Sequence, residues 1–223
     1  MSHADVFVSE LESKNHDAYK RLVVSGYLPV LAGDNVTIPD LLRWESKQIV
    51  EAIEVAALWI ADTESLDMKL LLALQAGRHA KHFRALEDRL SELGLAPGSY
   101  DPRQGGYSKL FAFWRSLQTG EERYAAGLLA GGSMTMERLQ ALATVCVDRG
   151  DPATAAICQD LMLPDEQARI DLGREKLLLL ATAEDSQSRA RRSVFRTVEL
   201  LTEIHDTTSI RRALGRRKVL PPV

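Results

Sequence analysis

Residues 163–173, Leu-Pro-Asp-Glu-Gln-Ala-Arg-Ile-Asp-Leu-Gly, decide how this chain folds, because they place a polar motif in the middle of a long helix-forming segment. On a helix, residues at steps of three and four share one side. That side is apolar apart from two charges: Cys158, Met162, Glu166, Arg169, Gly173, Leu177, Leu180. Buried charges are costly unless they are paired, hydrogen-bonded or bound to a metal. Glu166 and Arg169 therefore need partners in the core.

Residues 75–83, Gln-Ala-Gly-Arg-His-Ala-Lys-His-Phe, form a second motif of the same kind. Its apolar side is Leu72, Ala76, His79, Phe83, Leu86, Leu90. The spacing predicts that His79 points into the core. It places His82 on the wetter side of the helix, together with Gln75 and Arg78.

Length and composition favour one helical domain over residues 1–223. Of the 223 residues, 45% are apolar, enough for a solid core, and Leu and Ala dominate. The net charge of −3 gives no reason to expect binding to nucleic acid. No stretch is long and apolar enough to span a membrane, and residues 1–6 do not resemble a signal peptide. We therefore expect a cytoplasmic protein.

The chain alternates helix-forming segments with clear start and stop signals, and no strand pattern competes with them. We expect an N-terminal helix at 4–24, followed by breaks at Gly26, Pro29 and Gly33. The predicted bundle helices lie at about 37–62, 66–93, 119–150 and from 151 onward, with a short helix at 108–117 and a last helix at 185–206. Their signals are a cap at Thr37, a stop at Gly94, a capping box from Thr119 to Glu122, and the pair Asp151-Pro152.

The cysteines, a glycine cluster and a basic run give three further expectations. Cys146 and Cys158 fall on apolar helix faces and are expected to be buried free thiols. Glycines at 127, 131 and 132 in one helix indicate close packing, a kink or room for a ligand. The basic run at 211–218 is expected to be a solvated tail.

The two polar motifs resemble those of ferritin-like di-iron carboxylate proteins. Residues 165–173 are similar to that family's second Glu-x-x-His helix, and residues 75–79 to its first. The resemblance covers about residues 40–180. It implies an all-α, ferritin-like four-helix bundle of two antiparallel helix pairs, with extra N- and C-terminal helices.

The resemblance also implies a metal-ligand set, which this chain has in part. Glu45 matches the family's single Glu, while His79 and Glu166 match members of its paired motifs. Glu137 is a possible fourth ligand. Where the family has a further Glu and a further His, this chain has Ala76 and Arg169.

We therefore hypothesise that the metal site is replaced by a buried Arg–Glu–His network. In it, Arg169 neutralises Glu45 and Glu166. The chain would be an oxygenase relative that modifies a small molecule without a cofactor. Glu45, His79 and Glu166 would serve as acid or base groups, and Arg169 would anchor a substrate carboxylate.

Two alternatives remain open. In the first, the protein is an active oxygenase that binds iron or manganese through Glu45, His79 and Glu166, with Glu137 or His82 added. In the second, it is a non-catalytic binding or assembly protein. A homodimer formed through helix faces is expected in either case. The sequence does not identify the substrate or the reaction.

Overall fold

The structure, a computed structural model, describes residues 3–31 and 36–205. In these residues all regular structure is helical, which confirms the all-α prediction. Helix α1 runs over 3–31, with a π-helical segment at Val23–Tyr27 between His3–Leu22 and Leu28–Leu31. Helices α2, α3 and α4 are Ile38–Asp62, Leu66–Glu92 and Lys109–Ser116.

The last three helices are long, and two of them also contain a π-helical segment. Helix α5 covers 120–148, with the π segment Tyr124–Ala130 between Gly120–Arg123 and Gly131–Asp148. Helix α6 covers 152–180, with the π segment Ile157–Met162 between Pro152–Ala156 and Leu163–Leu180. Helix α7 is Glu184–His205.

The capping signals act where the sequence places them. Thr37 and Asp40 form a capping box at the start of α2, and the Asp151 side chain accepts from the Thr154 amide at the start of α6. Gly94 and Gly150 follow α3 and α5 with positive φ angles, which glycine adopts without steric cost. The predicted starts and stops of these helices are confirmed.

The predicted breaks at Gly26 and Pro29 are wrong. The chain stays helical to Leu31, and Gly26 is buried within a π segment whose Val23 and Tyr27 belong to the core. Core packing of these two side chains outweighs the weak helix propensity of glycine. The predicted break at Gly33 and the basic run at 211–218 lie outside the described residues.

The helices form two groups that face each other. Helices α2 and α3 make an antiparallel hairpin with the most extensive helix–helix contact in the described chain. Helices α1, α5, α6 and α7 pack together as the second group, and the short helix α4 contacts both α2 and α7. None of the described helices combines the length and the apolar character that crossing a membrane requires.

Glycines let helix α5 approach bulky side chains closely. A Cβ atom added at Gly127 would lie 2.6 Å from the ring of Trp59, and one at Gly131 would lie 2.8 Å from the ring of Trp114. The Trp59 ring is held in place, because its Nε1 donates to the Trp114 carbonyl at 2.9 Å. Close packing, one of the three readings of this glycine cluster, is confirmed at Gly127 and Gly131, and these two residues also line the cavities described below.

Replacing Gly127 by Ala should destabilise the protein by about 1–3 kcal/mol, because the new methyl overlaps a buried ring that cannot easily move. Gly77→Ala is the matched control. It lies on an exposed face of α3 with nothing within 4 Å of an added Cβ. That change should stabilise by up to about 1 kcal/mol. Urea denaturation of both variants measures the difference, and equal stabilities would contradict the packing described here.

Candidate active site

A cavity lined by polar and apolar side chains lies between the hairpin and the second helix group. It has a volume of about 50 Å³ and is lined by residues from α2 to α7. A second cavity of about 20 Å³ adjoins it, and both are lined by Ala52, Val55, His79, Trp114 and Arg169. A water molecule needs about 10–15 Å³ of such space, so the two cavities together suit a small, single-ring molecule.

One side of the larger cavity is built on a buried ion pair between α2 and α5. Arg138 donates from Nε to Glu45 Oε1 at 2.7 Å and from Nη2 to Oε2 at 2.8 Å. The Tyr27 hydroxyl donates to Glu45 Oε1 at 2.9 Å. The guanidinium also lies over the Trp44 ring, 5.2 Å from its centroid. Glu45 is fully buried and held from three directions, which suits a structural role.

The partner of Glu45 differs from the sequence-based hypothesis, which assigned it to Arg169. The structure gives that role to Arg138, which sequence reasoning missed. A signal was available: Gly131, Met134, Arg138 and Leu142 are buried at helical spacing, so Arg138 interrupts an apolar stripe as Arg169 does.

Arg169 pairs with its own helix neighbour instead. Its Nη1 donates to Glu166 Oε2 at 2.9 Å, and its Nη2 donates to the Gly127 carbonyl at 2.5 Å. Arg169 and Glu166 are both buried, as the helical spacing predicted. Arg169 Nε has no hydrogen-bond partner, so this guanidinium keeps one free donor inside the protein.

His79 lies beside this pair and is also incompletely satisfied. Its Nδ1 is 3.8 Å from Glu166 Oε1, too far for a hydrogen bond, and has no other partner. Burial lowers the pKa of His79 well below its usual range, and the positive charge of Arg169 lowers it further, with smaller contributions from His82 and Arg78. His79 is therefore neutral at neutral pH, with a lone pair available on its ring.

The placement of His82 and Gln75 on the wet side of α3 is wrong. Both are buried, because α3 faces α6 on that side. His82 Nε2 lies 2.9 Å from Asp165 Oδ2, and Asp165 Oδ1 lies 3.5 Å from Arg78 Nε. The Gln75 amide nitrogen has no hydrogen-bond partner. Both residues line the cavities and belong to the site.

Glu137 does not join the cluster. Its carboxylate is 3.8 Å from His16 Nδ1, its side chain is 21% exposed, and it lines neither cavity. Among the sequence-predicted site residues, the structure brings Glu45, His79, Glu166 and Arg169 together and leaves Glu137 outside.

Each π-helical segment supplies one group to the site. Tyr27 donates to Glu45, the Gly127 carbonyl accepts from Arg169, and Met162 lines the larger cavity. A π turn widens a helix locally and is frequent at functional sites. Two of the three π segments therefore line one cavity each, and the third supports Glu45, which supports a functional reading of this region.

The cysteines do not take part. Cys146 and Cys158 are buried and free, as predicted, and they line neither cavity. Burial raises the pKa of Cys146 to about 12, and it raises the pKa of Cys158 further. Neither thiol is a candidate nucleophile.

Comparison with known proteins gives a fold but no family. No protein-family model matches the chain, and no curated protein matches its sequence. The X-ray structure of a TenA homologue from Pyrococcus furiosus is similar over 94% of this chain and 100% of that chain, with a TM-score of 0.65 and 16% sequence identity. At this identity the likeness concerns the fold alone.

The resemblance to ferritin-like di-iron carboxylate proteins is therefore wrong, and so is the function inferred from it, that of an oxygenase relative. The physical reason lies in what a motif can specify. Two ionisable residues separated by three positions in the sequence show only that both side chains lie on one face of a helix. They do not fix how the helices are arranged, and many helical folds place a polar motif at mid-helix.

Protonation of His79 should make stability fall in mildly acidic solution. The folded-state pKa lies below the unfolded value of about 6.5, so as pH falls the unfolded chain takes up this proton first. The stability that the neutral His79 contributes is fully present above pH 6.5. It is lost as the pH falls below 6.5, by at most about 1.4 kcal/mol per pH unit. In EDTA buffer, His79→Gln should flatten the urea-derived stability profile below pH 6.5. His16→Gln, at an exposed position that lines neither cavity, is the control for the loss of a histidine.

Breaking the ion pair on one side should cost more than removing both charges. Arg138→Met leaves the Glu45 carboxylate buried with Tyr27 alone and should cost about 3–5 kcal/mol. Adding Glu45→Gln removes the unpaired charge and keeps an acceptor for Tyr27, so the double variant should recover part of the loss. Equal losses in the two variants, measured by urea denaturation, would contradict this account.

Proposed function

We propose that this protein is a TenA-like enzyme that binds a small, single-ring polar molecule in the buried cavities and acts on it by acid–base chemistry. The observation that carries the proposal is a set of unpartnered polar atoms. Gln75 Nε2, His79 Nδ1 and Arg169 Nε are buried without hydrogen bonds, and all three residues line the smaller cavity. Each unsatisfied buried group costs about 1–3 kcal/mol, and a bound molecule that satisfies these atoms offsets that cost.

The free donors indicate what the molecule presents to them. Gln75 Nε2 and Arg169 Nε both donate, so the ligand offers acceptors such as a carbonyl oxygen or a ring nitrogen. Arg169 is already neutralised by Glu166, and two of its three nitrogens are occupied. A neutral acceptor therefore fits better than the substrate carboxylate expected from the sequence, which needs a bidentate and uncompensated guanidinium.

The walls of the cavities favour a planar ring. Trp59 and Trp114 line the smaller cavity, and Phe111 with Trp114 lines the larger one. Flat aromatic surfaces stack on a planar ligand at distances that exclude water. A small nitrogen heterocycle matches both the aromatic walls and the donors.

The reaction class follows from the groups in reach. No cysteine or serine is found among the described residues that line the two cavities, which argues against a thiol or hydroxyl of that kind as nucleophile. Glu166 and the neutral His79 are the proton-transfer candidates, and Arg169 positions Glu166. Glu45 is held by Arg138 and Tyr27, and we assign it to support of the site.

Replacing Gln75 by Leu tests the proposal, because it removes one free donor while keeping the volume. The affinity for a planar probe such as 4-aminopyrimidine should fall at least about tenfold, or 1.4 kcal/mol. Ligand-observed NMR and calorimetry in EDTA buffer measure this affinity. Stability without ligand should stay the same or rise by about 1 kcal/mol, because a buried unsatisfied amide is lost.

Gln140→Leu, at an exposed position on α5, is the control and should not change binding. If wild-type protein binds neither aminopyrimidines nor pyridones, or if Gln75→Leu destabilises the ligand-free protein, the proposal is wrong. Binding without turnover of any probe would leave a binding protein in place of an enzyme.

A further inference from the structure

We propose that His79, His82 and Glu166 bind a single divalent transition-metal ion at the wall of the larger cavity. This inference deepens the proposed function and rests on it, since the ion would face the molecule bound in the same site. It differs from the ligand set expected from the sequence, because His82 is included while Glu45 and Glu137 are not.

The three residues converge in space although they come from two helices. One ring nitrogen from each histidine and one carboxylate oxygen of Glu166 all lie within 4.8 Å of one another, and all three side chains are buried. His79 and His82 are one helical turn apart on α3, with ring centroids 5.8 Å apart in an edge-to-face arrangement. Two imidazoles and one carboxylate form a frequent ligand set for catalytic zinc, which leaves coordination positions open.

The distance between His79 and Glu166 suits a shared ion. His79 Nδ1 and Glu166 Oε1 are 3.8 Å apart, too far for a hydrogen bond. Two ligands at about 2.0–2.2 Å from one metal ion lie up to roughly 4 Å apart, so the observed gap has the size that an ion would bridge. An ion there would give His79 Nδ1 the partner that it lacks among the described residues, so the bound molecule would then satisfy Gln75 Nε2 and Arg169 Nε only.

His82 is oriented in the way that metal-binding histidines usually are. Its Nε2 lies 2.9 Å from Asp165 Oδ2, so a proton on Nε2 would leave the other ring nitrogen, Nδ1, with its lone pair free. A carboxylate behind a histidine fixes the tautomer and increases the basicity of the ligating nitrogen. Asp165 is held in turn by Arg78, at 3.5 Å.

The charges around the cavity determine what else the ion would bind. Four carboxylates, Glu45, Glu51, Asp165 and Glu166, face four cationic side chains, Arg138, Lys47, Arg78 and Arg169. Their formal charges cancel, so a divalent ion adds two uncompensated positive charges. An open coordination position therefore favours hydroxide or a polarised substrate oxygen, within reach of the free donor of Arg169.

The test uses the full chain with any affinity tag removed, stripped of metal with a chelator and dialysed. Calorimetric titration with Zn²⁺ should show saturable binding of one ion per chain. Co²⁺ should give visible absorption bands typical of a four- or five-coordinate site with nitrogen ligands. His82→Ala and His79→Ala should each weaken Zn²⁺ binding at least 100-fold, with helix content confirmed by circular dichroism.

A milder variant keeps the test valid if these substitutions disturb folding. Asp165→Asn changes a partly exposed side chain that would not touch the ion, and it should weaken Zn²⁺ binding about 10- to 100-fold. His16→Ala, a histidine far from the cavity wall, should leave binding unchanged. No saturable Zn²⁺ binding by the wild type, or equal affinity in the His79, His82 and His16 variants, overturns the proposal.

The two proposals fail separately. If metal-free protein binds 4-aminopyrimidine but never Zn²⁺, the metal site is wrong and the small-molecule site stands. If Zn²⁺ binds through His79 and His82 while Gln75→Leu has no effect on any probe, the metal site stands and the proposed ligand chemistry is wrong.

Discussion

The structure depends on the buried ion pair between Glu45 and Arg138. The pair joins the α2–α3 hairpin to the second helix group across the cavity, at a place where helices could otherwise meet through apolar side chains. Two buried charges are costly to remove from water, and their attraction offsets that cost only when further hydrogen bonds complete the geometry. Tyr27 and the Trp44 ring provide that completion. The pair thereby fixes one wall of the cavity without depending on a ligand.

Another part of the cavity lining depends on close packing around glycines of α5. Glycines at 127 and 131 bring α5 against the rings of Trp59 and Trp114, and the buried Gly127 carbonyl of the π segment accepts from Arg169. A Cβ at Gly131 would lie 3.2 Å from Arg169 Nη2. The same glycines that weaken α5 as a helix therefore make room for the Arg169 guanidinium. Residues of low helix propensity therefore stand where side chains of the site pack against the α5 backbone.

Much of the fold could be predicted because its signals are local. Caps, glycine stops and apolar periodicity act over a few residues, so the sequence predicts the bounds of the helices after α1 and the inward positions of His79, Glu166 and Arg169, whereas the predicted end of α1 is wrong. The partner of each buried charge could not be found in this way, since Glu45 and Arg138 are separated by most of the bundle along the chain. His82 was placed on the wrong side because periodicity identifies one apolar stripe, whereas α3 is covered on two. The π segments leave no recognised sequence signal. The motif resemblance indicated the wrong superfamily, because spacing on one helix does not specify the arrangement of several.

The buried polar residues form two groups. The group around Glu45 is hydrogen-bonded within the protein, whereas the group around Glu166 retains nitrogens without hydrogen-bond partners. We assign the first to support of the site and the second to the proposed chemistry. Around Glu45 both carboxylate oxygens accept hydrogen bonds, and Arg138 donates to them from two nitrogens, so this half contributes order. Around Glu166, the side chains of Gln75, His79 and Arg169 each retain an unpartnered nitrogen, and the pKa of His79 is lowered by its burial and by Arg169. Selection for stability alone would place apolar residues at these positions, or would give each polar group a hydrogen-bond partner. Their cost is borne in a cavity with aromatic walls, which is the arrangement expected where a molecule binds and reacts.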